Sequence, residues 1–228
     1  MPDFAVILPA AGLSARFAGE RDKLLEPLGE HPVIVRSLHA FLERRDVVLV
    51  VIPTRRPDVL ADQIPRDERV KMCGGGATRA QSVRSGLARV PESIEWVAVH
   101  DAARPLISQD LIDRTLAAAI EHGAAVPALP VNLTIKEAPA PLPARVRRTV
   151  PRHDLWAMQT PQVMRRADLA DAFARCPVPL ELVTDDVQLL ELVGREVWLI
   201  SGDERNMKIT TPLDLEIARV LVESPIQK

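Results

Sequence analysis

Four short stretches of this 228-residue chain bring together residue types that handle phosphate. The first, Pro9-Ala10-Ala11-Gly12-Leu13-Ser14-Ala15-Arg16, ends an apolar run that starts at Phe4, and Lys23 stands seven positions beyond Arg16. Its small residues let a ligand approach the backbone, whose N–H groups can receive phosphate oxygens. Arg16 and Lys23 would then neighbour a triphosphate lying on the loop. The stretch fits neither GxGxxG nor GxxxxGK[ST], and a Gly/Ala turn after a strand is also ordinary turn chemistry. The second stretch, Gly74-Gly75-Gly76-Ala77-Thr78-Arg79-Ala80-Gln81-Ser82, removes side-chain bulk where a planar base could lie. It offers the Ser82 hydroxyl to a base edge; equally, Thr78 or Ser82 could simply cap the next helix. The third, Val99-His100-Asp101-Ala102-Ala103-Arg104-Pro105, puts Asp101 at a strand end. A carboxylate there suits Mg²⁺ or another divalent cation, a hard ion that takes oxygen ligands, or else caps a turn. The last, Asn206 to Pro212, carries Lys208, a cation that gains meaning only beside the other three stretches.

The hydrophobic pattern says how these stretches are brought together. Continuous apolar runs at Phe4–Pro9, Val47–Ile52, Val70–Cys73, Trp96–Val99, Ala124–Leu129 and Glu196–Ile200 read as strands covered on both faces. Helical spacing separates them: Ile34, Leu38, Phe41 and Leu42; about 58–63; Gln81 to Val90; Leu111 to Ile120. Further helices start near Ala167, Asp185 and Pro212, the last with proline in its first turn. The alternation implies an α/β fold, a doubly wound, mostly parallel, Rossmann-like sheet. Ligands of such sheets bind outside the carboxyl ends of the strands, where the first three stretches fall. The rhythm breaks over 131–152, where Ala138 to Ala144 (APAPLPA) sits between NLTIKE and RVRRTV. That reads as a projecting β-arm on a single domain, 1–228, or else as a solvated loop.

Composition narrows the partners. With 47% apolar and 26% charged residues and a net charge of −2, the chain has no overall electrostatic case for nucleic acid or an anionic membrane. No apolar run approaches the length needed to span a bilayer. Cys73 and Cys176 form neither CxxC nor a ligand spacing with histidine, so neither zinc nor a disulfide framework is expected. The opening MPDF fits no secretory or transit signal, which makes the cytoplasm the expected location.

Taken in order, the motifs resemble one family. PAAG-x-x-x-R with its later lysine, GG-x-x-R-x-x-S-V, HDAARP, T-I-K, TV-x-R-x-x-LW-x-x-QTPQ, TDD and N-x-K-I-T-x-P-x-D run from about Ala5 to Arg219. Their order and spacing are similar to those of the 2-C-methyl-D-erythritol 4-phosphate cytidylyltransferases of the non-mevalonate isoprenoid pathway. The resemblance implies a nucleotidyltransferase fold in which the acceptor's phosphate attacks the α-phosphorus of CTP in line and pyrophosphate leaves. It implies that Arg16 and Lys23 clamp the triphosphate, that Lys208 faces the α-phosphate, and that Asp101 carries Mg²⁺. Cytosine would be read by Ser82 and the backbone of Ala10, Ala11 and Gly76, and the ribose would lie near Gly12 and Ala102. Thr134, Arg152 and Thr160 match acceptor-holding positions; Arg104 is grouped with them as an organiser of the acceptor side. The family is typically a homodimer whose arm crosses to the partner, so 131–152 is expected to dimerise.

Five positions depart from the family pattern: Leu24, Ser14, Ala77, Leu133 and Asp186, the last standing where glutamate is usual. None removes a charge from the expected catalytic set. A ribitol-5-phosphate cytidylyltransferase and a nucleotide-binding module without turnover are the rival readings. PAAG, HDAARP and Lys136 favour the methylerythritol enzyme over the first, and the full set of phosphate-facing cations disfavours the second. A dinucleotide-binding Rossmann enzyme is set aside for want of its glycine fingerprint.

Overall fold

The computed structural model describes residues 1–12, 17 and 22–223. Its elements follow the chain as β1 (Phe4–Ile7), β2 (Pro27–Leu28), β3 (His31–Pro32), α1 (Val33–Leu42), β4 (Val47–Thr54), α2 (Pro57–Ala61), β5 (Val70–Gly74), α3 (Arg79–Leu87) and β6 (Trp96–Val99). They continue as α4 (Gln109–His122), β7 (Ala124–Pro130), β8 (Ile135–Glu137), β9 (Arg148–Val150), β10 (Trp156–Met158), β11 (Gln162–Arg165), α5 (Arg166–Arg175), α6 (Asp186–Leu192), β12 (Trp198–Ser201) and α7 (Pro212–Glu223).

In the main sheet β5, β4, β1, β6, β11 and β7 lie side by side in that order, and β10 and β12 also pair with β7. The pairings β1–β4, β1–β6, β4–β5 and β7–β12 are parallel, while β10 and β11 run antiparallel to their neighbours. The two antiparallel strands are the main difference from the expected order. β10 is the WAM of the LWAMQTPQ segment and pairs with β7, while β11 starts at that segment's last glutamine and passes between β6 and β7.

Continuous apolar runs become strands here because both faces are covered. Along β1 and just past it, Phe4, Val6 and Leu8 pack into one core with α1, α4 and α7, whereas Ala5 and Ile7 pack into the other with α3, α5 and α6. That period of two is what a pleated strand imposes on its side chains. All of β1 is buried. The contact with α3 is close: a Cβ on Gly86 would lie 2.7 Å from Ile7 Cγ2 and 2.9 Å from Pro53 Cγ.

Two local signals set the helix starts. Thr78 caps α3 by accepting from Gln81 N, and the Gln81 side chain reaches back to the backbone N–H of Thr78, so the helix begins two residues earlier than its apolar spacing indicates. Thr211 and Asp214 form the same reciprocal pair at α7, with Asp214 N bonded to Thr211 Oγ1 and Thr211 N to Asp214 Oδ2. Between β7 and β10 the chain leaves the sheet as an antiparallel pair, β8 with β9, in the register Ile135–Val150, Lys136–Thr149 and Glu137–Arg148. No helix among the described residues is long and apolar enough to cross a membrane.

The chain leaves β5, passes through α3 and returns on the far side of β1 as β6. The connections at the carboxyl ends of β1 and β6 therefore diverge, which opens a crevice between them.

Candidate active site

That crevice is a cavity of about 310 Å³ lined by Pro9, Ala11 and Gly12 after β1, by Gly76 to Arg79 and Ser82 at the start of α3, and by Asp101 to Ala103 after β6. Lys23 and Leu24 close one side, and Lys208 and Thr210 another. The four sequence stretches thus meet at one place. Ala10 lies just behind the lining, 5% exposed, with its N–H donated to Pro53 O. Arg16 falls outside the described residues.

Asp101 is the electrostatic centre. Its Oδ1 accepts from Arg79 Nε at 3.0 Å, and its Oδ2 meets Lys208 Nζ at 2.8 Å and Arg104 Nε at 3.5 Å. Burial pushes the Asp101 carboxyl up, but Arg79, Lys208 and Arg104 outweigh it and hold the group well below the usual carboxylate range. Asp101 is therefore ionised at any physiological pH. Arg79 also reaches away from the cavity, with Nη1 2.6 Å from Asp186 Oδ2. Sequence reasoning gave neither Arg79 nor Asp186 a role, although both sit inside the quoted motifs; they stand 107 positions apart.

Lys208 owes its position to the backbone on either side of it. Asn206 is buried, its Nδ2 donating to Thr160 O at 2.7 Å and its O accepting from Arg104 Nη1 at 2.7 Å. Ile209 donates its N–H to Ala103 O at 2.8 Å and accepts from Lys23 Nζ at 2.9 Å. Thr210 is held by Asp214. Both lysines thus converge on one short loop laid against the β6 turn.

Several expected site residues stand elsewhere. Thr160, expected to touch the acceptor, is 3% exposed and lies beneath Asp101. Its Oγ1 accepts the Asp101 N–H at 3.0 Å and lies 3.0 Å from His100 Nδ1. His100 Nε2 faces Arg104 O at 3.1 Å, which can only accept, so Nδ1 is the acceptor of the Thr160 proton. Burial pushes His100 down to about 4, so this ring is neutral. Arg104 is 9% exposed, and besides Asn206 O it reaches Met158 O at 3.4 Å. It ties the β6 turn to the Lys208 loop and does not line the cavity. Thr134 and Arg152 are exposed at the two roots of the β8–β9 hairpin, outside the cavity lining, and Arg152 donates to Asn132 O.

Gly76 of the glycine cluster lines the cavity, and the cluster also has a packing reason of its own. A Cβ on Gly75 would lie 2.3 Å from Ala11 Cβ, and one on Gly76 would lie 2.3 Å from Gln81 Cβ. The protein's own packing therefore demands glycine at both positions: Gly75 lets the β5 turn touch the β1 turn, and Gly76 lets it lie against the first turn of α3. Ser82 is 2% exposed; its hydroxyl donates to Thr78 O and accepts from Gly76 N. The donor is engaged, leaving acceptor capacity toward the cavity.

Comparison with known proteins gives the same direction throughout. A family model described as "IspD: 2-C-methyl-D-erythritol 4-phosphate cytidylyltransferase" matches residues 4–224. The 2-C-methyl-D-erythritol 4-phosphate cytidylyltransferase of Frankia casuarinae is 39% identical over 224 residues, covering 97% of this chain and 82% of that protein. The enzyme of the same name from Gloeobacter violaceus is 36% identical over 228 residues, covering 98% and 97%. Among solved structures, the enzyme of that name from Thermus thermophilus superposes with a TM-score of 0.79 at 33% identity, over 98% of this chain and 100% of that one. The Francisella tularensis structure gives 0.83 at 29% identity, over 96% and 99%.

Proposed function

The chain belongs to the 2-C-methyl-D-erythritol 4-phosphate cytidylyltransferase family, and from that premise we propose how its residues bring the transfer about. The reaction joins CTP to 2-C-methyl-D-erythritol 4-phosphate in the non-mevalonate isoprenoid pathway, yielding 4-diphosphocytidyl-2-C-methyl-D-erythritol and pyrophosphate. The ribitol phosphate and binding-module readings are not favoured.

An oxygen of the acceptor phosphate forms a new bond to the α-phosphorus of CTP, and the bond from that phosphorus to the bridging oxygen breaks as pyrophosphate departs. The nucleophile is already an anion, so no general base is needed and the neutral, buried His100 has no proton to remove. Catalysis then rests on positioning and on cations that meet charge as it builds on the phosphorus oxygens. Lys23 and Lys208 supply them at the cavity wall, and Arg16 is assigned the same role from the sequence. The single observation that carries this reading is the convergence of Lys23, Lys208 and the ionised Asp101 on one cavity at the carboxyl ends of β1 and β6.

Asp101 fits a magnesium ion, because Mg²⁺ commonly takes one or two carboxylates and completes its shell with water and substrate phosphates. It is one permanently ionised carboxylate facing the cavity, and its Oδ2 is held by an ammonium that a triphosphate can draw away. When bound, the metal would neutralise phosphate charge. Cytosine lies against the Ala11 and Gly76 backbone with Ser82 accepting from it, and the ribose lies near Gly12 and Ala102. Thr134 and Arg152 hold the acceptor from the hairpin roots, and the hairpin joins two chains into a homodimer. The setting we propose is the cytoplasm, in line with the chain's composition.

Pyrophosphate release tests the reading, with CTP or UTP crossed against methylerythritol phosphate or ribitol phosphate, with and without a chelator. Turnover is expected only with CTP and methylerythritol phosphate and only with a divalent cation present. Turnover with ribitol phosphate alone would overturn the acceptor assignment, and full turnover in chelator would overturn the metal.

A further inference from the structure

One buried carboxylate beside this site has no assigned part. Asp186 opens α6 at 0% exposure; Oδ2 accepts from Arg79, while Oδ1 has no hydrogen-bond partner. Burying an ion is costly, and a buried pair of this kind is often no more stable than an apolar replacement. Stability alone is therefore a poor reason for a carboxylate at this position.

The geometry around it is that of a relay. Gln162 Oε1, from β11, accepts the backbone N–H groups of Asp186 at 2.9 Å and Val187 at 3.1 Å, which fixes the start of α6 against the sheet. Asp186 then holds Arg79 Nη1 at 2.6 Å, and Arg79 Nε holds Asp101 Oδ1 at 3.0 Å. Arg79 is itself fixed as the first residue of α3, behind the Thr78 cap. Arg79 is thus a planar group held at both ends, between Asp186 and Asp101, and the relay ends on a carboxylate that lines the cavity.

We propose that Asp186 is a positioning residue for the cytidylyl transfer: it holds the Arg79 guanidinium edge-on to Asp101, and so fixes Asp101 and, through it, Lys208. Without Asp186 the fork is free to turn both of its nitrogens onto Asp101. The carboxylate is then drawn toward α3, and the ammonium it holds at 2.8 Å loses its place. Asp186 also offsets one of the three cations crowding Asp101, which would otherwise face each other across a single carboxylate. This inference rests on the transferase reading above.

The test is Asp186→Asn, which keeps the shape and an acceptor for Arg79 but removes the charge. Steady-state kinetics should show kcat down about 10- to 100-fold, the size expected for misplaced catalytic groups, with the KM for CTP little changed. Asp186→Glu, which restores the charge, should recover most of the loss. Should Asp186→Asn fail to fold, Arg79→Lys examines the same relay, since one ammonium cannot bridge two carboxylates as the fork does; the same kcat loss is expected. A merely structural ion pair would lower the unfolding midpoint and leave the kcat of folded enzyme unchanged, and that result overturns the proposal. Wild-type enzyme assayed alongside separates the two readings. Inert wild type overturns the transferase assignment and this inference with it, whereas active wild type with an unimpaired Asp186→Asn overturns the positioning role alone.

Discussion

Lys208 and Thr160 both approach Asp101, yet they act on it from opposite sides, and their substitutions should separate cleanly. Lys208 reaches the carboxylate from the cavity and is free to exchange onto phosphate. Lys208→Ala should therefore lower kcat by about two orders of magnitude or more, the usual loss for one charged donor to a transition state, with the unfolding midpoint nearly unchanged. Thr160 supports Asp101 from below through its N–H. Thr160→Val leaves that buried N–H without a partner, at about 1–3 kcal/mol, so urea unfolding should show the loss. A rise in acceptor KM with unchanged stability would instead place the hydroxyl in contact with substrate. These two residues also mark what the sequence can say at this scale. Lys208 and Asp101 were legible because phosphate chemistry limits the useful side chains to a few types at strand ends. Thr160 was legible as a motif position only, because burial and hydrogen-bond partners come from segments that meet in the fold. Arg79 and Asp186 show the same limit, each being unremarkable without the other.

Elements carry the site by how closely they fit, and two substitutions measure that fit. Ordinarily Gly→Ala inside a helix gains up to about 1 kcal/mol. At Gly86 in α3 the added methyl would meet Ile7 Cγ2 at 2.7 Å and Pro53 Cγ at 2.9 Å. Overpacking of that kind costs about 1–3 kcal/mol, so Gly86→Ala should lower stability on denaturant unfolding, against the helix-propensity trend. The start of α7 depends instead on a charge. Burial raises the Asp214 carboxyl pKa, but hydrogen bonds from Thr210 and Thr211 outweigh it and hold the group below 3.8. A lowered folded value means that the stabilisation is present above the unfolded pKa and is lost as pH falls through the folded one. Asp214→Ala should therefore cost about 1 kcal/mol near neutral pH, and its gap from wild type should close as the solution is acidified below 3.8. The parallel strands and most helices could be read from hydrophobic period, because burial on both faces leaves continuous apolar runs. The antiparallel β10 and β11 could not, since WAM is short with Trp156 46% exposed, and Gln162 is buried for its hydrogen bonds. Their pairing with β6 and β7 is a property of the sheet and leaves no local period.

At the scale of the whole molecule the hairpin stands out for the apolar side chains it exposes. Leu133 is 76% exposed, Leu142 79% and Val146 51%, and Trp156 at the adjoining strand adds further apolar surface. Thr134 and Arg152, expected to hold the acceptor, stand at the hairpin roots and contribute nothing to the cavity lining of their own chain. A symmetric dimer reconciles these observations, each hairpin covering its partner and each root completing the partner's cavity. The alternative is that the roots fold back onto their own cavity when the acceptor binds. Mixing distinguishes the two. Arg152→Ala and Lys208→Ala should each be nearly inactive alone. If Arg152 acts across the interface, a mixed twofold dimer contains one wholly intact site and one doubly impaired site. Random exchange makes half the dimers mixed, so an equimolar mixture should regain about a quarter of wild-type activity. If Arg152 serves its own chain, no combination creates an intact site and the mixture stays inactive. A chain that sediments as a monomer at full activity would remove the dimer from the account altogether.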